Sequence, residues 1–288
     1  GYNIRYGFVV PESPKAVIVC LPGLSEFVEK YFETARNFLE RDIGFFVLDW
    51  PGQGLSDPIS TETNRRHSAG YDVEIKILKE FIEDHVNPQC KGAPLCMLAH
   101  SMGGLIGMHL ISRSYHDFLC AAFSAPLWGV MAMKSYPAFA ATTLLSTMPI
   151  MDYAPGQEDW HKGLRDAAPN RVFSKDRKRE PVHNQWCLAD DRLCMNGITW
   201  GWLKETFEAT EFLRSKKADY SKVKIPVYVG TAGQDTLVDN KKITAISKKL
   251  PNAQHLHFDD SFHEILMERD EIRDPFLNML YEFIEQNC

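Results

Sequence analysis

Five short apolar runs, almost uninterrupted by polar residues, recur along this chain of 288 residues. Because their hydrophobicity is continuous rather than alternating, they are typical of strands buried on both faces, as in a parallel sheet. Hydrophobic residues make up 44% of the chain, which is enough for a large buried core. The five runs are Ala16 to Gly23, Gly44 to Trp50, Pro94 to Ser101, Leu119 to Pro126 and Ile225 to Gly233.

Amphipathic segments lie between these runs. In the clearest one, residues 69–87, apolar side chains recur every three or four positions, which is the stripe of a helix packed on one side. The alternation of strand and helix predicts a doubly wound α/β fold with a mostly parallel sheet. The predicted helices are Glu29 to Asp42, Ala69 to Asn87, Gly103 to Tyr115 and, near the end of the chain, Arg273 to Gln286.

The alternation stops after Pro126 and resumes at Lys224. The segment between them is rich in Met, Trp, Pro, Thr and charged residues, and it contains helix-like stretches such as GITWGWLKETFEATEFL. We therefore predict a core formed by residues 1–126 and 218–288, with a helical cap, or lid, inserted at residues 127–217.

The stretch LAHSMGG, at residues 98–104, places Ser101 between an apolar run and a helix-like segment. This strand-turn-helix setting is the one in which a nucleophilic serine stands on a sharp elbow, usually written G-x-S-x-G. The flanking positions must be small so that strand and helix can approach. Gly103 and Gly104 meet that demand, and Ala99 departs from the pattern by one methyl group. We interpret Ser101 as a nucleophile on a slightly adjusted elbow.

A serine nucleophile needs a histidine base and a carboxylate that orients it, in the chain order Ser, acid, His for this motif. Among the ten histidines, His263 lies in a polar loop before the C-terminal helix and is the preferred base. Asp235, in the loop after an apolar strand, is the preferred acid. Asp239 competes with it, but Asp239 is better placed to cap a helix that starts at Asn240.

The negative charge that develops on a substrate oxygen requires backbone N–H donors. They are expected directly after the nucleophile and in the loop after an earlier strand, which selects Met102 and Leu24. A further glycine-containing stretch, DWPGQGLSD at residues 49–57, has G-x-G but lacks a third glycine and a following helix. We therefore reject a dinucleotide site there.

Charge and cysteine usage narrow the function classes. The net charge of -6 disfavours a nucleic-acid partner, which requires clustered positive charge. The seven cysteines contain no C-x-x-C pair, so we expect neither a zinc site nor a redox centre. Cys187 and Cys194 are close enough in sequence to cross-link in an oxidising compartment, although two thiols suit the odd total better.

We base the expected localisation on two signals, a membrane-spanning helix and a signal peptide. No apolar run reaches the ~18 residues of a membrane-spanning helix. No signal peptide is evident either. We expect a protein of the cytoplasm or of the membrane periphery.

With these residues placed, the chain resembles the α/β-hydrolase superfamily, and within it the monoacylglycerol lipase and bacterial lysophospholipase group. The stretches that resemble the group's oxyanion loop, D-x-x-G-x-G-x-S turn, elbow, acid loop and histidine loop are LPGLSEFVEKYFETARNFL, DWPGQGLSD, AHSMGG, GTAGQD and FHEI. Pro22 stands where the group usually has histidine, as in its lysophospholipase-type members.

The resemblance implies roles for individual residues. Ser101 would be the nucleophile, Asp235 the acid and His263 the base, with Leu24 and Met102 as the oxyanion donors. It also implies a lipid-like ester substrate, a lysophospholipid or a monoacylglycerol, and neither metal nor organic cofactor.

The cap would cover Ser101, and its apolar side chains could line an acyl channel. Trp200 and Trp202 could border the mouth of the site or contact a membrane surface. Packing of the cap on the core explains these side chains equally well. The candidate channel residues are Phe139, Leu144, Leu145, Met148, Ile150 and Met151.

A basic run in the same segment could meet phosphate head groups, although a solvated helix face is the better interpretation. It comprises Arg171, Lys175, Arg177, Lys178 and Arg179. The resemblance to lipid hydrolases leaves two alternatives open. One is a small-ester esterase, thioesterase or peptidase of the same fold, and the other is a catalytically silent binding protein.

Overall fold

The computed structural model describes residues 1–60, 65–113, 118–131, 147–161 and 173–288. Within these ranges, seven strands form one sheet in the order β1-β3-β2-β4-β5-β6-β7. All neighbouring pairs are parallel except β1 and β3. The strands are β1 (Tyr6–Val9), β2 (Ala16–Leu21), β3 (Ile43–Leu48), β4 (Leu95–His100), β5 (Phe118–Ser124), β6 (Val227–Ala232) and β7 (Ala253–Phe258).

The described ranges contain seven α-helices, two of which lie in the predicted cap. They are α1 (Phe32–Leu39), α2 (Tyr71–Phe81), α3 (Ser101–Ser112), α4 (Val182–Ala189), α5 (Trp200–Arg214), α6 (Asn240–Ser247) and α7 (Asp270–Asn287). The doubly wound, mostly parallel α/β fold predicted from the sequence is confirmed. Each of the five apolar runs overlaps one strand, although β3 and β5 begin one residue before their runs. Strands β2, β3 and β4 are buried along their whole length.

Strand β1 is a difference from the sequence prediction, which placed no strand there. It has four residues and lies antiparallel to β3 at the edge of the sheet. One of its side chains, Phe8, is 51% exposed and stacks on Phe46 at a centroid distance of 4.9 Å. An antiparallel edge strand can leave one face in water, so β1 lacks the continuous hydrophobicity that marks the central strands.

The sheet topology brings three loops to one edge. Because β4, β6 and β7 are parallel, the loops that follow them all emerge at the carboxyl ends of the strands, where open α/β sheets hold their ligands. Ser101 follows β4 directly, Asp235 follows β6, and His263 follows β7. The three predicted site residues therefore lie at the same end of the sheet although 162 positions separate the first from the last.

The predicted insertion supplies α4 and α5, which lie between β5 and β6 in the chain. Thr199 is the N-cap of α5. Its hydroxyl accepts a hydrogen bond from the Trp202 N–H and lies 2.7 Å from Nδ1 of His67. Thr199 also donates its own N–H to the carbonyl of Arg66. The loop before α2 thus attaches this part of the cap to the core. The boundaries 127 and 217 stay a prediction.

In the parts of the chain that are described, the helices are too short or too polar to cross a membrane.

Candidate active site

Ser101 stands at a sharp junction between β4 and α3. Its φ angle is 48°, a left-handed conformation that costs a residue with a side chain free energy and occurs at functional turns. The helix approaches the sheet closely here, since a Cβ at Gly103 would lie 2.1 Å from the carbonyl oxygen of Leu21, and one at Gly104 would lie 2.7 Å from Cβ of Pro126. These two positions therefore require glycine. Ala99 is fully buried, two residues before Ser101.

The side chains of Ser101, His263 and Asp235 form a continuous hydrogen-bonded chain. Ser101 Oγ lies 2.9 Å from Nε2 of His263, and Nδ1 of His263 lies 2.7 Å from Oδ2 of Asp235. A carboxylate only accepts, so Nδ1 carries the proton and Nε2 is left to accept from the serine hydroxyl. The three residues are at most 7% exposed.

The groups around Asp235 and His263 stabilise the charged form of each side chain. Burial acts to raise the pKa of Asp235, but the charge and hydrogen bond of His263 and two backbone amides hold this pKa below its ordinary value. The amides are those of Leu237 and Val238, at 2.8 and 3.0 Å from Oδ1. Burial acts to lower the pKa of His263, and the carboxylate of Asp235 more than offsets it, so this pKa is raised.

The competing carboxylate has the local role that the sequence predicts for it. Asp239 is the N-cap of α6, and its side chain accepts a hydrogen bond from the Lys241 N–H at 3.0 Å. Asp235, not Asp239, contacts the imidazole of His263. The two acids are four residues apart, and the turn between them directs Asp235 to His263 and Asp239 to the start of α6.

The loop at Gly23–Glu26 leaves one backbone donor open. Gly23 N–H donates to the side chain of Glu26, Ser25 N–H to the side chain of Gln53, and Glu26 N–H to the carbonyl of Gly23. Leu24 N–H has no hydrogen-bond partner among the described residues. Met102 lies in the first turn of α3, which no side chain caps, and amides at a helix start have no partner within the helix. The two predicted oxyanion donors are thus on adjoining, unsatisfied segments.

A buried charged cluster behind this loop was not singled out from the sequence. Lys30 Nζ lies 2.6 Å from Oε1 of Glu26 and 2.7 Å from Oε1 of Glu264. Tyr31 donates its hydroxyl to Oε2 of Glu26 at 2.5 Å. Burial acts to raise the pKa of Glu26, but the charge and hydrogen bond of Lys30 hold this pKa below its ordinary value. The available signal was the i, i+4 spacing of Glu26 and Lys30.

The cap residues that we expected to line a channel are placed in part. Phe139, Leu144 and Leu145 lie outside the described residues. Met148 is half-buried, and Trp200 packs against Phe207. Trp202 is 5% exposed and belongs to the main hydrophobic core, which supports packing of the cap on the core rather than a position at an open mouth.

Two members of the basic run pair with acidic side chains. Arg179 bonds Glu33 and Asp270 at 2.8 and 2.6 Å, and Lys175 pairs with Asp260. Arg171 lies outside the described residues. Residues 173–181 form turns, and α4 begins only at Val182. Arg177 and Lys178 are exposed, so the expected solvated face lies on turns rather than on a helix, and the ion pairs of Lys175 and Arg179 link these turns to the core.

Two further expectations concern cysteines and metals. Cys187 and Cys194 are not joined by a disulfide, and Sγ of Cys194 lies 3.4 Å from the carbonyl oxygen of Cys187. In the described ranges, no group of three or more His, Cys, Asp or Glu side chains is arranged to hold a metal ion.

The fold and the strand-end site define a hydrolase of the α/β class. A family model described as serine aminopeptidase, S33, matches residues 12–270. The chain therefore belongs to this family of α/β-hydrolases.

Named relatives extend over nearly the whole chain. Lysophospholipase L2 of Escherichia coli (strain K12) is 25% identical over 287 residues, which cover 95% of this chain and 81% of that protein. Monoglyceride lipase of Homo sapiens is 21% identical over 281 residues, which cover 95% of this chain and 84% of that protein.

A solved structure has the same fold. It is a soluble variant of monoglyceride lipase from Saccharomyces cerevisiae in complex with a substrate analog, and it superposes with a TM-score of 0.79 at 16% identity, covering 99% of this chain and 92% of that one. The resemblance to monoacylglycerol lipases and lysophospholipases stated from the sequence is confirmed at the level of the family.

Proposed function

We propose that this protein is a serine hydrolase that cleaves the carboxylic ester bond of single-chain lipids through an acyl-enzyme. The observation that carries the proposal is the chain of hydrogen bonds from Ser101 through His263 to Asp235, at 2.9 and 2.7 Å. It stands at a strained elbow beside two open backbone amides. This combination supplies a nucleophile, a base and an oxyanion site together.

The reaction follows from the positions of the protons. Nε2 of His263 takes the proton of Ser101 as the serine oxygen attacks the ester carbonyl, and the charge of Asp235 stabilises the imidazolium that forms. The amides of Leu24 and Met102 bind the oxyanion, and one such donor is worth ~10²–10³ in kcat. His263 then protonates the departing alcohol. Water, activated by the same imidazole, releases the fatty acid from Ser101.

The lipid substrate class rests on the relatives and on the cap. The relatives are named for lysophospholipids and monoglycerides, both single-chain lipids with one long acyl ester. Within the predicted cap, Ile150 and Leu188 are 51% and 55% exposed. Large apolar side chains exposed on the predicted cap support peripheral contact with a membrane surface. We include this contact, at the cap, in the proposal.

The test is hydrolysis of a matched substrate series by the wild type and by Ser101→Ala. The series contains p-nitrophenyl esters from acetate to palmitate, a monoacylglycerol, lysophosphatidylcholine and an aminoacyl p-nitroanilide. The control is Ser112→Ala, which removes a buried hydroxyl at the far end of the same helix, where it bonds the carbonyl of His109. We expect turnover of the long-chain lipids that disappears in Ser101→Ala and persists in Ser112→Ala.

The other outcomes separate the alternatives. Turnover confined to short esters would identify a small-ester esterase, and turnover of the anilide an aminopeptidase. Absence of turnover with every substrate would favour a binding protein. Sedimentation with vesicles, compared between wild type and a double Ile150→Ser, Leu188→Ser variant, tests the membrane contact, and equal sedimentation would contradict it.

A further inference from the structure

The turn at residues 49–57, which the sequence analysis excluded as a dinucleotide site, packs against the loop at Gly23–Glu26. Its centre, Gln53, is fully buried. Gln53 Oε1 accepts a hydrogen bond from Ser25 N–H at 3.0 Å. Its Nε2 donates to the carbonyl oxygens of Gly23 and Glu26, at 3.0 and 3.1 Å. One carboxamide thus bonds three backbone groups of that loop, on both sides of Leu24.

The loop needs such support because its backbone is strained. Ser25 has a φ angle of 59°, a left-handed conformation that a residue with a side chain adopts only when its surroundings hold it. Ser25 follows Leu24 directly, so the peptide that carries the Ser25 N–H is fixed by Gln53 next to the open Leu24 amide. A change at Ser25 would reorient that amide.

The turn that carries Gln53 is itself stabilised by Asp49. The carboxylate of Asp49 accepts hydrogen bonds from Val28 N–H at 2.8 Å and from Leu55 N–H at 2.9 Å, and it bonds Arg5 Nε at 2.6 Å. Gly54 has a φ angle of 51°, and a Cβ there would lie 2.1 Å from Oδ2 of Asp49. The glycine therefore allows the turn to close on Asp49 and to present Gln53 to the loop.

We propose that Gln53 is a positioning residue that keeps the Leu24 amide directed at the developing oxyanion. This assignment rests on the proposed function, because it needs an acyl-transfer reaction at Ser101. Gln53 touches no reacting atom, and it acts through the backbone of Gly23–Glu26. Its effect should therefore appear in the transition state and not in the binding of the substrate's acyl chain.

The experiment compares the wild type with Gln53→Met, which keeps the length of the side chain and removes all three hydrogen bonds. We expect kcat for a p-nitrophenyl ester to fall ~10- to 100-fold, in line with displacement of one oxyanion donor, while KM stays within about threefold. Inhibition by a trifluoromethyl ketone, which forms an oxyanion adduct with the serine, should weaken by the same factor as kcat. Inhibition by the product fatty acid should not change.

Two further variants make the result decisive. Ser247→Ala removes a buried side-chain hydrogen bond to Ile243 in α6 and should leave all four constants unchanged. Gln53→Glu keeps an acceptor for Ser25 N–H but, when ionised, cannot donate to the two carbonyl oxygens. It should share the loss of kcat, and it decides the question if the methionine variant does not fold.

The outcomes distinguish this assignment from the proposed function. A folded Gln53 variant with unchanged kcat in an enzyme that Ser101→Ala inactivates would overturn the role of Gln53 alone. A loss confined to KM, with ketone and fatty-acid inhibition equally weakened, would overturn it as well. A wild type that hydrolyses no ester or anilide would remove the proposed function and this assignment with it.

Discussion

Charged side chains are buried in two regions, at the strand ends around Asp235 and beneath α5 around Arg66 and Glu74. The two regions differ in how many hydrogen-bond partners these side chains have. At the strand ends, Asp235 accepts hydrogen bonds from His263 and from two amides, all within 3.0 Å. Beneath α5, Arg66 and Glu74 are both fully buried, yet Nε of Arg66 and Oε2 of Glu74 have no hydrogen-bond partner among the described residues. Glu74 accepts one long hydrogen bond, from Ser68 Oγ at 3.4 Å.

The difference shows that partners, and not burial alone, decide the charge of an acidic side chain. Burial acts to raise the pKa of both carboxyl groups. For Asp235 the bonded partners reverse the effect and hold the pKa low. For Glu74 burial exceeds the attraction of Arg66 and raises the pKa to about 7. The strand-end carboxylate is therefore ionised whenever the enzyme could work, whereas the carboxyl group beneath α5 titrates near neutrality.

Removal of the charge at the strand ends should have the largest effect. Asp235→Asn keeps the shape of the side chain but favours the wrong imidazole tautomer and no longer stabilises the imidazolium. We expect kcat to fall ~10³- to 10⁴-fold, as when the orienting acid of such a triad is neutralised. The matched control is Asp239→Asn, because asparagine is also a good N-cap, and its kcat should be nearly unchanged. The reverse pattern in ester hydrolysis would transfer the acid role to Asp239.

Removal of the charge beneath α5 should affect stability rather than activity. The pKa of Glu74 is about 7 in the folded protein and near 4.5 when unfolded. Its contribution is thus fully present below pH 4.5 and is lost as the pH rises through 7. At ~1.4 kcal/mol per unit, this loss is on the order of 3 kcal/mol. Glu74→Gln should therefore gain stability relative to the wild type between pH 5 and pH 8.

Urea denaturation at those two pH values measures this gain. Glu80→Gln is the control, since Glu80 lies on the same helix with its side chain 55% exposed and its replacement should leave the pH dependence unchanged. A difference between Glu74→Gln and wild type that stays constant with pH would mean that Glu74 is ionised throughout, and the contrast between the two regions would disappear.

The two regions also differ in how far they could be predicted from the sequence. Ser101, Asp235 and His263 follow strands whose apolar runs are distinct, and the order of the three residues along the chain is fixed in this fold. The contacts of Gln53 and Glu26 with the loop at Gly23–Glu26 could not be predicted in this way, because they depend on how that loop folds and on how the turn at residues 49–57 packs against it. The approach of Arg66 to Glu74 depends on how the loop before α2 meets the cap, which local periodicity does not encode.

Close packing, as well as charge, maintains the strand-end region. Ala99 is fully buried in β4 between Leu21 of β2 and Phe123 of β5. Two added methyl groups there would overpack the elbow, typically at a cost of about 1–3 kcal/mol. We expect Ala99→Val to lower kcat ~10- to 100-fold by displacing Ser101, whereas Ala99→Gly should retain activity. Equal activity of the valine variant and wild type would show that the elbow does not depend on this packing.

The smallest expected effect concerns the pH dependence of the reaction, which also distinguishes the two regions. The imidazole of His263 must be neutral to accept the serine proton, and the charge of Asp235 raises its pKa above the ordinary value near 6.5. The value of kcat/KM should therefore fall as the pH drops, with a midpoint above 6.5.

Glu74 titrates in the same range, with its pKa at about 7, so the profile is measured from pH 5 to pH 9 in both the wild type and Glu74→Gln. If His263 governs activity, the acid limb is the same in both proteins. A limb that vanishes in Glu74→Gln would assign it to the region beneath α5, and a midpoint below 6.5 in both would mean that Asp235 does not raise the pKa of His263.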